Sequence, residues 1–148
     1  MNNTSRAALL LLQSILWSAL LLSCSSSNPN ASPTPNAEPE ALSRTEFTDR
    51  VENYFEYEPL HAGKPSQVRI HLTDLSDGSP VEKAEVSLTV RPKGSSDTVL
   101  RTTARVGKVT GIYVADLNIP SSGQYDVDFS IKNAKLDEHL PLSNFKVE

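Results

Sequence analysis

The chain is poor in the residues that stabilise small folds through covalent bonds or metals. Of its 148 residues one is cysteine, one methionine and one tryptophan. A single cysteine, Cys24, excludes an intramolecular disulfide and any CxxC pair. The 14 Lys and Arg are dispersed among 18 Asp and Glu with no basic cluster, so the electrostatic footprint of a nucleic-acid binder is missing. No nucleophile elbow, phosphate-cradling glycine loop or HExxH motif occurs. Serine and aspartate fall mainly in turn segments, where they bond their own backbone. No catalytic role and no cofactor are therefore expected. Internal repeats are also absent, which leaves one compact unit as the expectation.

The one long apolar stretch is N-terminal. In "MNNTSRAALLLLQSILWSALLLSC" a single positive charge, Arg6, precedes an apolar run from Ala7 to Leu22 interrupted by Gln13, Ser14 and Ser18. That order is a signal peptide's, and the run is shorter than the usual membrane-spanning helix. It ends with Ser23 before Cys24, which resembles the lipobox of bacterial lipoproteins, where the cysteine is acylated and becomes the first residue. Residues 1–23 are thus read as a lipoprotein signal peptide and Cys24 as the lipidation site. Several acyl chains would hold the protein at a membrane to which one chain binds only marginally. Ser25 stands where Asp is the familiar inner-membrane retention residue. The expected location is therefore the periplasm-facing side of a bacterial envelope, at the outer rather than the inner membrane. Removing the signal takes away Arg6, Trp17 and Met1, leaving 13 Lys and Arg against 18 Asp and Glu, and 13 − 18 gives a net charge of −5.

Residues 24–44 contain four prolines, no aromatic residue and one large aliphatic, Leu42. Such a composition buries too little apolar area to offset its ordering entropy, so a tether reaching roughly 60 Å is expected. Residues 45–148 then form one domain. Within it Val68, Ile70 and Leu72 alternate with Arg69, His71 and Thr73, and Val86, Leu88 and Val90 with Ser87, Thr89 and Arg91. Period-two patterns of this kind put one face in a core and the other in water. Four later segments, "DTVLRTTARV", "GIYVADLNI", "GQYDVDFSI" and "LPLSNFKVE", are separated by turn clusters. With "NYFEYE" in front, the expectation is an all-β, immunoglobulin-like antiparallel sandwich of about seven strands. Tyr125, just after Gly123, resembles a tyrosine corner. The segment from Ser43 to Tyr54 is ambiguous: Ser43 and Glu46 have capping-box spacing and allow a short helical turn, with extended chain from about Asn53.

Two surfaces stand out as candidates. His61 and His71, near Glu56, Glu58 and Asp74, have the ligand chemistry for zinc or copper. Alternation, however, makes His71 a solvent-facing residue, and His139 is far downstream. Their alternative is a set of solvated histidines. A second surface would combine Ile112 and Val114 with Asp126 and Asp128, if Tyr113, Ala115 and Leu117 point inward; the alternative is that the two apolar residues are covered.

The pattern "FEYEPLHAGKPSQVRIHLTDLSDGSPV" is similar to the domain near the N-terminus of periplasmic adaptor, or membrane fusion, subunits of heavy-metal RND efflux pumps. The positions carrying the similarity are Phe55, Glu56, Tyr57, Pro59, Leu60, Gly63, Pro65, Ser66, His71, Leu72, Thr73, Pro80 and Val81. "GIYVADLNIPSSGQYDVDFSI" resembles that domain's closing hairpin. An adaptor would continue into lipoyl-like, α-hairpin and barrel domains, so the expectation is a stand-alone relative of the accessory domain or a truncated adaptor. The resemblance implies a binding module with envelope partners among efflux components and leaves the oligomeric state open. A small metal carrier using His61 or His71, or a structural lipoprotein without ligand, are the competing expectations.

Overall fold

The computed structural model describes residues 40–148, and among these there is no helix. Nine antiparallel strands form two sheets. The first orders β1 (Leu42–Phe47), β2 (Val51–Tyr57), β3 (Ser66–Asp74), β7 (Ile112–Leu117) and β6 (Arg105–Val106) as β1-β2-β3-β7-β6; the second orders β5 (Leu100–Thr103), β4 (Glu85–Pro92), β8 (Gly123–Lys132) and β9 (Asp137–Val147) as β5-β4-β8-β9. Setting β1 and β5 aside, β2-β3-β7-β6 and β4-β8-β9 follow the two sheet orders of the immunoglobulin constant-type sandwich. The fold is an all-β, immunoglobulin-like sandwich.

The inward-facing residues make the core. Val68, Ile70 and Leu72 of β3 face Val86, Leu88 and Val90 of β4 and Val127, Phe129 and Ile131 of β8, all buried. Phe55 ties the sheets together, its ring centroid 5.1 Å from Phe129 and 5.9 Å from Phe145. Tyr113, Ala115 and Leu117 are buried, as alternation predicts. The Tyr125 hydroxyl donates to the Ser121 carbonyl at 2.8 Å across the β7–β8 connection. Asn53 is a polar residue in this core, fully buried, and neither amide atom has a hydrogen-bond partner.

Four expectations need correction. There are nine strands rather than about seven, and the domain starts before residue 45. The segment read as tether and helical turn is strand β1, hairpinned to β2 with Leu42 opposite Tyr57 and Phe47 opposite Glu52. Cross-strand pairing overrides the local helical spacing of Ser43 and Glu46. "DTVLRTTARV" is two strands, because the chain crosses at the buried Ala104 and delivers β5 to one sheet and β6 to the other. Finally, "GIYVADL" and "GQYDVDF" form neither a hairpin nor a common outer face: β7 and β8 belong to opposite sheets. Ile112 and Val114 are thus separated by the core from Asp126 and Asp128. Cys24, the signal segment and most of the proposed tether lie outside the described residues.

Candidate functional site

The histidines are dispersed. His71 lies on the outer face of β3, and His61 is an exposed residue of the β2–β3 connection, beyond the other end of that strand. Around His71 the register lines up Tyr54 and Glu56 of β2 with Arg69 of the same strand. Glu56 is the hub: its Oε1 accepts from the Tyr54 hydroxyl at 2.8 Å, and its Oε2 lies 3.5 Å from Arg69 Nη1 and 3.8 Å from His71 Nε2. The Glu56 hydrogen bond is the main cause that raises the Tyr54 phenol above its ordinary pKa. His71 Nε2 is occluded from solvent without a hydrogen-bond partner, and the His71 and Tyr54 rings meet edge to face with centroids 5.2 Å apart. Among the described residues no three His, Cys, Asp or Glu side chains converge in a metal-binding arrangement. This face is a self-neutralised polar patch.

The more distinctive region is one end of the sandwich, where four connections meet: Thr48–Arg50, Leu75–Ala84, Gly107–Gly111 and Asn133–Leu136. Strand directions bring them together. Backbone bonds join them: the Leu75 amide donates to the Arg50 carbonyl and the Leu72 amide to Gly111, 2.8 and 2.9 Å. Arg50 Nη1 donates to the Lys135 carbonyl at 2.9 Å. The β2–β3, β4–β5 and β7–β8 connections, the start of β1 and the C-terminus lie at the opposite end.

Side chains shape these loops in detail. The buried Tyr113 hydroxyl donates to the Val81 carbonyl at 2.9 Å and accepts from the Ala84 amide at 3.1 Å. Between those bonds Lys83 is held at φ 51°, a left-handed conformation that a residue with a Cβ rarely adopts. Asp74 Oδ1 accepts from the Ser76 amide and hydroxyl at 2.9 and 2.6 Å, and Asp77 Oδ1 from the Ser79 amide at 2.9 Å. These serine bonds are the leading cause that holds both carboxyls below their ordinary pKa. Asn133 Oδ1 accepts from the Lys135 and Leu136 amides, while its amide nitrogen donates to the Glu82 carbonyl at 3.0 Å. Gly111, at φ 78°, packs so closely that an added Cβ would sit 2.5 Å from Pro80 Cβ.

The result is a rigid rim around a cleft of about 420 Å³, whose walls include Asp74, Pro80, Lys83, Asn133 and Lys135. Three apolar side chains are also exposed at this end of the sandwich, outside the lining of the cleft. Leu75 is 44% exposed, Val109 61%, and Phe47, at the tip of the β1–β2 hairpin, 60%. Exposed apolar groups on pre-organised loops are suited to protein recognition, because little entropy remains to be lost on binding. Sequence reasoning missed this site. Its signals were "SDGSP" and "KNAKLDE", turn clusters rich in Asx residues, which strand counting places at the same end.

No protein-family model matches the chain, and no curated protein matches it. Among solved structures it is similar to a superoxide reductase (neelaredoxin) from Ignicoccus hospitalis, with 17% sequence identity, a TM-score of 0.38, and coverage of 72% of this chain and 80% of that chain.

Proposed function

We propose that the protein is a lipid-anchored, periplasm-facing interaction module of a bacterial envelope, accessory to an RND-type heavy-metal or drug efflux system. The Cys24 lipobox pattern, the proline-rich segment after it and the adaptor-like run from Phe55 to Val81 support this reading. The observation that carries it is the polarity of the domain. The chain enters at the start of β1, and the clamped loops with exposed Leu75 and Val109 lie at the other end. Entry of the chain at the opposite end leaves these loops uncovered by the start of β1 and open to a partner. The partner is an envelope protein with an apolar contact surface.

The test is co-purification from detergent extracts of cells carrying the tagged full chain. Wild-type protein is expected to retain an efflux component, Leu75→Asp combined with Val109→Asp to lose it, and Cys24→Ser to leave the membrane fraction. Retention of the same component by the loop variant, or recovery of none by the wild type, would count decisively against the reading.

A further inference from the structure

A sandwich that is not a closed barrel has four edge strands, and natural proteins blunt such edges against stray pairing. Three of the four are blunted here. β6 has two residues and β5 four. β9 is long, but it carries Pro141, a register shift opposite Tyr125 and Val127, and Asn144 at φ 68°, and its end is bonded to Leu60. The fourth, β1, is six regular residues without proline or bulge.

Which of its amides are free follows from the ladder. The Thr48 amide donates to the Val51 carbonyl, and bonded and non-bonded pairs alternate along an antiparallel ladder. Leu42, Arg44 and Glu46 therefore bond β2. The backbone groups of Ser43, Thr45 and Phe47 turn to the open edge, where they have no partner among the described residues. Two of the three side chains on the inner face of this strand, Arg44 and Glu46, are charged. Arg44 Nη2 is 2.6 Å from Glu46 Oε1, its Nη1 donates to the Ser143 carbonyl, and its guanidinium lies 5.1 Å from the Phe145 ring centroid. Inward charges on an edge reject a generic incoming strand, which would bury them without complement.

One strand does supply the complement. In an antiparallel pairing of β1 with β1 of a second copy, centred on Thr45, each Arg44 stands opposite the other copy's Glu46. Thr45 then faces Thr45 as a hydrogen-bonded pair, and Ser43 faces Phe47. All six open-edge groups on each strand find partners, and both charge pairs occupy directly opposed positions, where opposite charges stabilise and like charges destabilise a sheet. We infer that the protein forms a two-fold homodimer through β1, continuing its five-stranded sheet across the axis. This goes beyond the proposed function and stands whatever the mode of membrane attachment.

The full chain in detergent, followed by sedimentation from about 1 µM to about 1 mM, spans the affinities that a contact below standard interface size supports. Association through the N-terminal apolar run is common to all variants and cancels in the comparison. Arg44→Glu alone and Glu46→Arg alone each place like charges opposite each other and are expected to weaken self-association by about tenfold. Mixed with each other they place Glu opposite Arg at both positions, and the mixture recovers wild-type association. A generally destabilised fold would not reproduce that recovery. Thr45→Pro removes an outward amide without touching the β2 ladder and abolishes association with the melting temperature retained. A monomer at every concentration, a mixture no tighter than its components, or undiminished association of Thr45→Pro would overturn the inference.

Discussion

The two ends of the sandwich are held by different means. At the end where the chain enters, the connections are tied mainly by main chain to main chain. The Ala62 amide donates to Glu148, Gly63 to Ile119 and Glu148 to Leu60, at 2.7, 2.7 and 2.8 Å. At the far end backbone bonds such as Leu75 to Arg50 are joined by a second set, in which the side chains of Tyr113, Asn133, Asp74, Asp77 and Thr48 bond loop backbone. Backbone ties tolerate most substitutions, whereas side-chain ties hold a particular surface shape and fail one residue at a time. An end built in the second way is suited to recognition, and its sensitivity to point changes separates it from the first.

The sharpest contrast is between two left-handed glycines. Gly111→Ala at the far end meets both a φ of 78° and a Cβ contact of 2.5 Å with Pro80, and is expected to cost about 3 kcal/mol. Gly63→Ala at the near end has a similar φ of 69° but open space around the added methyl, and should cost about 1 kcal/mol. Urea unfolding of the two variants measures the difference, and equal losses would break the comparison.

The tyrosine hydroxyls come next. Tyr113→Phe strands a carbonyl and an amide of the buried residues Val81 and Ala84, for a loss of about 2 kcal/mol. Tyr125→Phe frees one carbonyl of the exposed Ser121, which water can serve, so about 1 kcal/mol or less is expected. Thermal melts of both variants rank them. Asn53 tests the same idea in reverse. Its buried amide clamps nothing, so Asn53→Leu should raise stability by about 1 kcal/mol in chemical denaturation. A loss would show that the amide does bond within the core.

The smallest effect is local and depends on pH. Asp74 and Asp77 have folded pKa values below their ordinary ones, chiefly through bonds from Ser76 and Ser79. Their contribution is present above the unfolded value, near pH 4, and is lost as pH falls through the lower folded values. Glu148 at the near end is also lowered, but by Lys146, a surface pair that ties no loop. Amide exchange at Ser76 and Ser79 should therefore accelerate below about pH 4 relative to Ala62 and Gly63, after correction for intrinsic rates. Parallel behaviour at the two ends would remove the distinction.

Much of this was legible in the sequence where burial is one-sided. Val68, Ile70 and Leu72 define β3 and turn His71 outward, and the same alternation groups Tyr113, Ala115 and Leu117 on one face. β1 was illegible because its inward positions are Leu42, Arg44 and Glu46, a pattern with no apolar face to read. The split at Ala104 was hidden because a single small buried residue carries the chain between sheets. The candidate site was the least visible part. Period-two patterning puts Tyr113 on one face with Ala115 and Leu117, but does not say that its hydroxyl reaches the β3–β4 loop. Nor does it say that four connections with separate sequences converge.

Recognition through the far end is tested by a benzoylphenylalanine photoprobe placed in living cells at Leu75 and, in a second strain, at Lys64 of the near end. A discrete envelope-protein adduct is expected from Leu75 and none from Lys64. Equal adducts at both positions, or an adduct confined to Lys64, would contradict it.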